Sequence, residues 1–151
     1  MEQEKALARM MRLCSRSEHC RSDILSRVKA LDVPDPEAVV EKLCKEGFID
    51  DARYASAFAR DKSSLSGWGS LKIKLALQAK GIDQATIAAA LGDVDEESAG
   101  RRLDALLRAK MRSLRGDEDE RERKMKVVRY AMGRGYDYET IIKAYDDIRT
   151  D

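Results

Sequence analysis

Slid against itself by 54 residues, this chain matches over a long segment. Leu71 falls on Met125, Ile73 on Val127, Lys80 on Arg134 and Gly81 on Gly135. Further on, Ile82 falls on Tyr136, Asp83 on Asp137, Thr86 on Thr140, Ile87 on Ile141 and Leu91 on Tyr145. Apolar core position, glycine, cap and helix start keep their places. A shift of 49 adds an earlier copy, with Ile24 on Ile73, Val28 on Leu77, Asp32 on Gly81 and Val33 on Ile82. That match is looser, because the Pro34-Asp35-Pro36 turn adds a residue. A chain with such a repeat is built from copies of one small unit. At about 45 residues, each copy is too small to bury much surface alone, so neighbours must extend the core.

Each copy reads as three helices. In the first, Ala6, Leu7, Met10, Met11 and Cys14 form a helical stripe with Arg9 and Arg12 outside it. Ser22 is the expected cap of a second helix carrying Ile24, Leu25 and Val28. Asp35 caps a third, with Pro36 at its first position, where the missing N–H costs little. The second copy has a helix from Ala52 to Leu65, a turn at Gly67-Trp68-Gly69, a helix capped by Ser70 and another capped by Asp83. The third starts after Asp93–Glu97 with a long basic helix. An acidic turn at 116–120 follows, then a helix whose apolar stripe includes Met125, Val127, Val128, Ala131 and Met132. Gly133-Arg134-Gly135 stops it, and Asp137 opens the last helix. The expected boundaries are 1–50, 51–93 and 94–151. The expected fold is all-α: three tandem three-helix repeats in an elongated, curved helical array, with helices of about 10–15 residues, or roughly 15–22 Å.

The join between the first two copies is dense in signals. Gly47 fits a helix C-cap, Phe48 and Ile49 can fold back on the helix just ended, and Asp50 or Asp51 can accept the free N–H groups of the next. Tyr54, Ala55 and Phe58 open its apolar stripe. The run Glu41-Lys42-Leu43 through Gly47-Phe48-Ile49-Asp50-Asp51, with Arg53, Tyr54, Ala55 and Phe58, resembles the first repeat junction of the RecX family. The likeness continues through Lys62, Trp68-Gly69-Ser70-Leu71-Lys72-Ile73 and Lys80-Gly81-Ile82-Asp83, and is strongest over residues 39–91. The resemblance implies an all-helical protein that lodges in the groove of the RecA recombinase filament. It would inhibit ATP turnover, strand exchange and co-protease activity, and so touch recombination, DNA repair and the SOS response. This chain departs from the family pattern at Gly67-Trp68-Gly69-Ser70, where many members have Gly-Pro with arginines. It also has Pro-Asp-Pro where a glycine turn is common.

Composition narrows the classes. Two prolines, nine glycines and 38% charged residues favour helices over a β-rich fold. Net charge is +1, whereas many family members are strongly basic, so bulk charge does not announce a nucleic-acid binder. Three cysteines without a CxxC read as free thiols in a reducing compartment. The start Met1-Glu2-Gln3-Glu4 lacks a signal-peptide pattern, and no apolar run approaches the roughly 20 residues of a membrane span. The expectation is a cytoplasmic protein with no membrane partner.

Catalytic patterns are not found. Asp50-Asp51 stand at a helix start and read as caps; no nucleophile elbow, phosphate loop or dinucleotide loop occurs. Cys14, His19 and Cys20 fit no common zinc spacing, and Cys14 and Cys44 lie on apolar stripes. The reading is a non-enzyme with no cofactor, no metal and no small-molecule substrate.

Candidate contact residues are basic. Arg101, Arg108, Lys110, Arg112 and Arg115 crowd one helix of the third copy; spacings of 7, 4 and 3 return Arg101, Arg108, Arg112 and Arg115 to one face. Lys124 and Lys126 follow in the next helix. Lys62, Lys72, Lys74 and Lys80 form a thinner set in the second. They could be a solvated face or a strip for phosphates or acidic protein patches. Trp68 could plug a gap between helices or anchor a partner. Gly47, Phe48, Asp50, Asp51, Arg53, Tyr54, Phe58, Gly81, Asp83, Gly135 and Asp137 read as structural junction residues. The partners to expect are the RecA filament and, through the basic strip, single- or double-stranded DNA, with a general nucleic-acid-binding helical module as the alternative function.

Overall fold

The computed structural model describes residues 1–149. Among them are nine α-helices and no strand. The first three are α1 (Gln3–Arg16), α2 (Arg21–Ala30) and α3 (Pro36–Lys45). The next are α4 (Asp51–Ser64), α5 (Ser70–Ala79) and α6 (Gln84–Gly92). The last are α7 (Glu96–Ser113), α8 (Glu120–Gly133) and α9 (Tyr138–Arg149). They follow the three-by-three order of the internal repeat.

The helices gather into two compact units. One comprises Met1–Phe58 with Leu77–Ala90; the other comprises Ala59–Ala76 with the residues from Leu91 on. The core of the first brings Ala6 and Met10 of α1 against Ile24 and Val28 of α2 and Val40 and Leu43 of α3. That of the second brings Leu103 and Leu107 of α7 against Val127 and Ala131 of α8 and Ile141 and Tyr145 of α9. Ile73 and Leu77 on α5 and Ile87 on α6 are buried as well. The second repeat is thus divided between the units.

Helix ends explain much of the repeat. After α3, the Gly47 N–H donates to the Cys44 carbonyl and the Phe48 N–H to the Leu43 carbonyl, with Gly47 at φ 81°. These two bonds close a Schellman turn, which satisfies carbonyls the helix leaves open. The same pair recurs after α5, at Gly81 and Ile82, and after α8, at Gly135 and Tyr136. In the first repeat Asp32 stands at the equivalent place with φ 56°, the one non-glycine residue with positive φ among those described. Aspartate tolerates this left-handed conformation better than most residues, which is why the 49-residue match survives without a glycine.

Starts are capped locally by aspartate in most cases. Asp35 accepts from the Ala38 N–H, Asp50 from Arg53, Asp83 from Thr86, Asp95 from Ser98, Asp119 from Glu122 and Asp137 from Thr140. Two expected caps are different. Ser22 does not cap α2: the Arg21 N–H donates to Asp51 Oδ1 at 2.8 Å, and Ser22 Oγ donates to the Lys80 carbonyl at 2.7 Å. Ser70 is the first residue of α5 and leaves its start uncapped; the Leu71 N–H instead reaches the Gly135 carbonyl at 2.9 Å and the Gly69 N–H the Arg134 carbonyl at 2.8 Å. In both helices the orphan donors find acceptors on a distant segment, so no local side chain is needed.

One expected core match is also overturned. Leu71 and Met125 occupy equivalent places, yet both are largely exposed, as is Met132. α8 has apolar residues on more than its core face, and Val127, Val128 and Ala131 already fill that face.

Candidate functional site

The turn between α4 and α5 is built around two glycines and one indole. Gly69 lies against Gly135: a Cβ on Gly69 would collide with the Gly135 carbonyl, and one on Gly135 with the Lys72 Cβ and backbone N. The turn is further held by Arg134, whose Nη2 donates to the Ser66 carbonyl at 3.0 Å, and by the Tyr136 hydroxyl, which donates to the Gly67 carbonyl at 3.2 Å. Trp68 is half-buried there, neither sealed in nor fully outside. Lys62 Nζ stands 4.7 Å and Lys72 Nζ 4.5 Å from its ring centroid. Each such cation–π contact at an exposed site is worth about 0.5–1 kcal/mol. The arrangement holds two ammonium groups and an indole on one small surface. Beside it opens a recess of about 470 Å³ bordered by Ser63, Trp68, Leu103, Tyr136 and Asp137.

The remaining candidates fall into different surroundings. Lys74 is half-buried on α5. Lys80 is committed elsewhere: its Nζ lies 3.1 and 3.0 Å from the two carboxylate oxygens of Asp23. The hydrogen bond it donates to Asp23 raises the Lys80 pKa. Burial works to raise the Asp23 pKa, but the hydrogen bonds from Lys80 and Cys20 and the nearby charges of Lys80 and Arg27 together outweigh it, and the net shift is downward. Lys80 and Arg134, matched by the 54-residue shift, both reach back to an earlier repeat, so their position is a strut.

On α7, Arg101, Arg108 and Arg112 are exposed, with Arg101 Nη2 bonded to Ser98 Oγ and Arg108 Nε 3.7 Å from Asp104. Lys110 Nζ stands 4.8 Å from the Tyr130 ring centroid. Arg115 is not on this helix, which ends at Ser113; it lies exposed in the following turn, so the expected four-arginine face is three. Lys124 pairs with Asp146 at 3.1 Å and Lys126 with Glu118 at 3.0 Å. Arg102 and Arg123 turn inward, to Ser63 Oγ at 2.6 Å and to the Met111 carbonyl at 3.0 Å.

Sequence reasoning missed a second basic surface. Arg9, Arg12 and Arg16 of α1 and Arg27 of α2 border one groove, floored by Met10, Leu13, Ala30 and Leu31, with a volume of about 690 Å³. None of the four arginines has an ion pair among the described residues; Glu18 is taken by Arg53 and Asp23 by Lys80. The signal in the sequence was the spacing of Arg9, Arg12 and Arg16 at three and four residues, which puts them on one face. Arg27 joins only once α1 and α2 lie side by side.

The junction residues are placed as structural groups. Arg53 pairs with Glu18 and donates to the Gly47 carbonyl at 3.0 Å, closing the end of α3. Tyr54 and Phe58 stack at 5.8 Å between ring centroids. Cys14, Cys20 and Cys44 are free thiols, and burial pushes Cys14 and Cys44 up from the ordinary thiol pKa. No three His, Cys, Asp or Glu side chains converge as a metal site among the described residues. None of the described helices is long and apolar enough to cross a membrane.

Comparison with known proteins assigns this architecture. The second three-helix domain of RecX matches residues 50–91 and the third matches residues 101–145. Regulatory protein RecX of Prosthecochloris aestuarii is 31% identical over 148 residues, which cover 97% of this chain and 95% of that protein. The chain belongs to the RecX family. Regulatory protein RecX of Mycolicibacterium vanbaalenii is 30% identical over 140 residues, covering 88% of this chain and 76% of that protein. A crystal structure of regulatory protein RecX superposes with a TM-score of 0.86 at 28% identity, over 95% of this chain and 71% of that one. RecX from Lactobacillus salivarius gives a TM-score of 0.88 at 20% identity, over 99% and 97%, a likeness of fold. The relatives are regulatory proteins by name, and the fold is an all-α repeat array.

Proposed function

We propose that this chain regulates the RecA recombinase by binding the RecA–DNA filament, and that it inhibits the filament's ATPase, strand exchange and co-protease activity. Through them it would bear on recombination, DNA repair and the SOS response. The observation that carries the reading is the near-full-length likeness to regulatory protein RecX. The contact residues we assign are the Lys62–Trp68–Lys72 turn with Lys74, and Arg101, Arg108, Lys110 and Arg112 with Arg115. The protein acts in the cytoplasm by contact, without catalytic chemistry, a cofactor or a small-molecule substrate. Contacts spread along one chain give avidity without any single strong site.

The test is RecA-driven ATP hydrolysis on single-stranded DNA with this protein at substoichiometric dose. Hydrolysis should slow, and an unchanged rate would overturn the reading. Charge reversal at Arg108, Arg112 and Arg115 should weaken inhibition at unchanged helicity.

A second reading has its own support. The groove of Arg9, Arg12, Arg16 and Arg27 without paired carboxylates suits a phosphate backbone, as in a general nucleic-acid-binding module. Steeply salt-dependent binding to bare DNA, with no preference for RecA-coated DNA, would favour it over the filament.

A further inference from the structure

α8 carries apolar side chains that the core does not use. Met125 and Met132 are each 50% exposed, and Tyr138 at the start of α9 is 57% exposed. With Val128 and Ile142 they floor an open groove of about 550 Å³. Arg121, Lys124 and Arg129 stand along its edges. Lys124 is paired with Asp146, while Arg121 and Arg129 have no ion pair among the described residues. A contiguous apolar patch rimmed by charge is a mark of an interaction surface.

The internal repeat supplies the control. At the 54-residue shift Met125 keeps an exposed apolar counterpart in Leu71, but Met132 corresponds to Gln78, Tyr138 to Gln84 and Ile142 to Ala88. A further 49 back, Met125 corresponds to Ser22 and Met132 to Lys29. The repeat fold is therefore made without these apolar groups, and the third repeat has them for another reason. Methionine is suited to that reason, because its flexible thioether adapts to an incoming surface.

Geometry and charge select the occupant. Met125 and Met132 are seven residues apart, about 10.5 Å along α8, which is the spacing of anchors at i and i+7 on a docked helix. The floor is carbon and sulfur and the charge is confined to the rim. A nucleic-acid duplex, whose outer surface is phosphate, would set charge on that apolar floor, whereas an amphipathic helix would bury its apolar stripe there. We propose that this groove seats an acidic amphipathic helix of a partner protein, its apolar face on Met125, Met132 and Tyr138 and its carboxylates on Arg121 and Arg129. The inference stands whether or not that partner is the recombinase, so it does not rest on the function proposed above.

The experiment follows the methionine methyl resonances of the full chain, labelled with ¹³C at methionine. The probe is a helical peptide of about 18 residues, five turns, with leucines on one face and glutamates flanking them. Met125 and Met132 should shift and saturate while Met10 and Met11 stay still. The same peptide with lysine for glutamate should bind at least about tenfold more weakly, as should the acidic peptide on Arg129→Glu, whereas Met132→Leu keeps binding. Unmoved Met125 and Met132 methyls would overturn the proposal, as would equal binding of the lysine peptide. Shifts produced by an oligothymidylate would assign the groove to nucleic acid, and shifts produced by concentration alone would assign it to a second copy; either result would overturn it too.

Discussion

Gly135 carries two constraints at once. Its φ of 101° is disfavoured for any side chain, and a Cβ there would meet Lys72 and the Gly69 carbonyl. Gly69 is constrained from the other side by the Gly135 carbonyl. Gly100, in the second turn of α7, has neither limit: nothing lies within 4 Å of an added Cβ. The two glycines should therefore answer alanine in opposite senses. Gly135→Ala should destabilise by about 2–3 kcal/mol, and Gly100→Ala should stabilise by about 0.5–1 kcal/mol, because alanine loses less freedom in a helix. Urea unfolding followed by circular dichroism reads both. A Gly135→Ala midpoint equal to the unmodified protein's would mean that the contact between the two turns is not tight. Trp68 belongs to the same neighbourhood. Lys72→Ala should shift its emission to longer wavelength by removing the side chain that covers one face of the ring and opening that face to water, and an unshifted spectrum would count against that contact.

At the scale of the helix, the aspartate caps set both stability and its pH dependence. Hydrogen bonds from Thr86 hold the Asp83 carboxyl below the usual carboxylate range, and those from Thr140 do the same for Asp137. A carboxylate with a lowered folded pKa binds protons less readily folded than unfolded. Its contribution is complete above the unfolded value near 4 and is lost as pH falls through the lower folded one. Stability should therefore hold from pH 7 to about 5 and decline below about 4, with Asp137→Asn declining less. Asp137→Ala should cost about 1 kcal/mol at neutral pH. These caps were legible in the sequence because donor and acceptor are three residues apart. The starts of α2 and α5 were not, because their acceptors lie on Asp51 and Gly135, far along the chain. For the same reason the match of Lys80 with Arg134 was visible, but its meaning as a pair of struts was not. The apolar stripe of α8 was read as core throughout, since periodicity finds a face and cannot tell how much of it a neighbour will cover.

At the scale of the whole molecule, sequence repeats and compact units do not coincide. Residues 51–93 repeat their neighbours in sequence, yet Ala59–Ala76 belongs to one unit and Leu77–Ala90 to the other. Excised alone, 51–93 should give weak helicity and no cooperative thermal transition; a sharp transition would show it to be a folding unit after all. Charge is likewise distributed without regard to the sum. A net charge of +1 gives little long-range pull on DNA, but four arginines around one groove can still each displace a counterion from a bound strand. For single-stranded DNA the logarithm of the binding constant falls with that of salt concentration by about 0.7 per phosphate contacted, so four contacts predict a slope of about −3. Replacing Arg12 and Arg27 with glutamine should flatten the slope by about 1.4 while leaving the α7 arginines intact. Fluorescence anisotropy of a labelled oligothymidylate between 50 and 200 mM salt measures this directly. If the slope flattens only when Arg108 and Arg112 are replaced, the DNA-binding surface lies on the third repeat, and the α1–α2 groove is then a solvated cluster whose like charges water alone keeps apart.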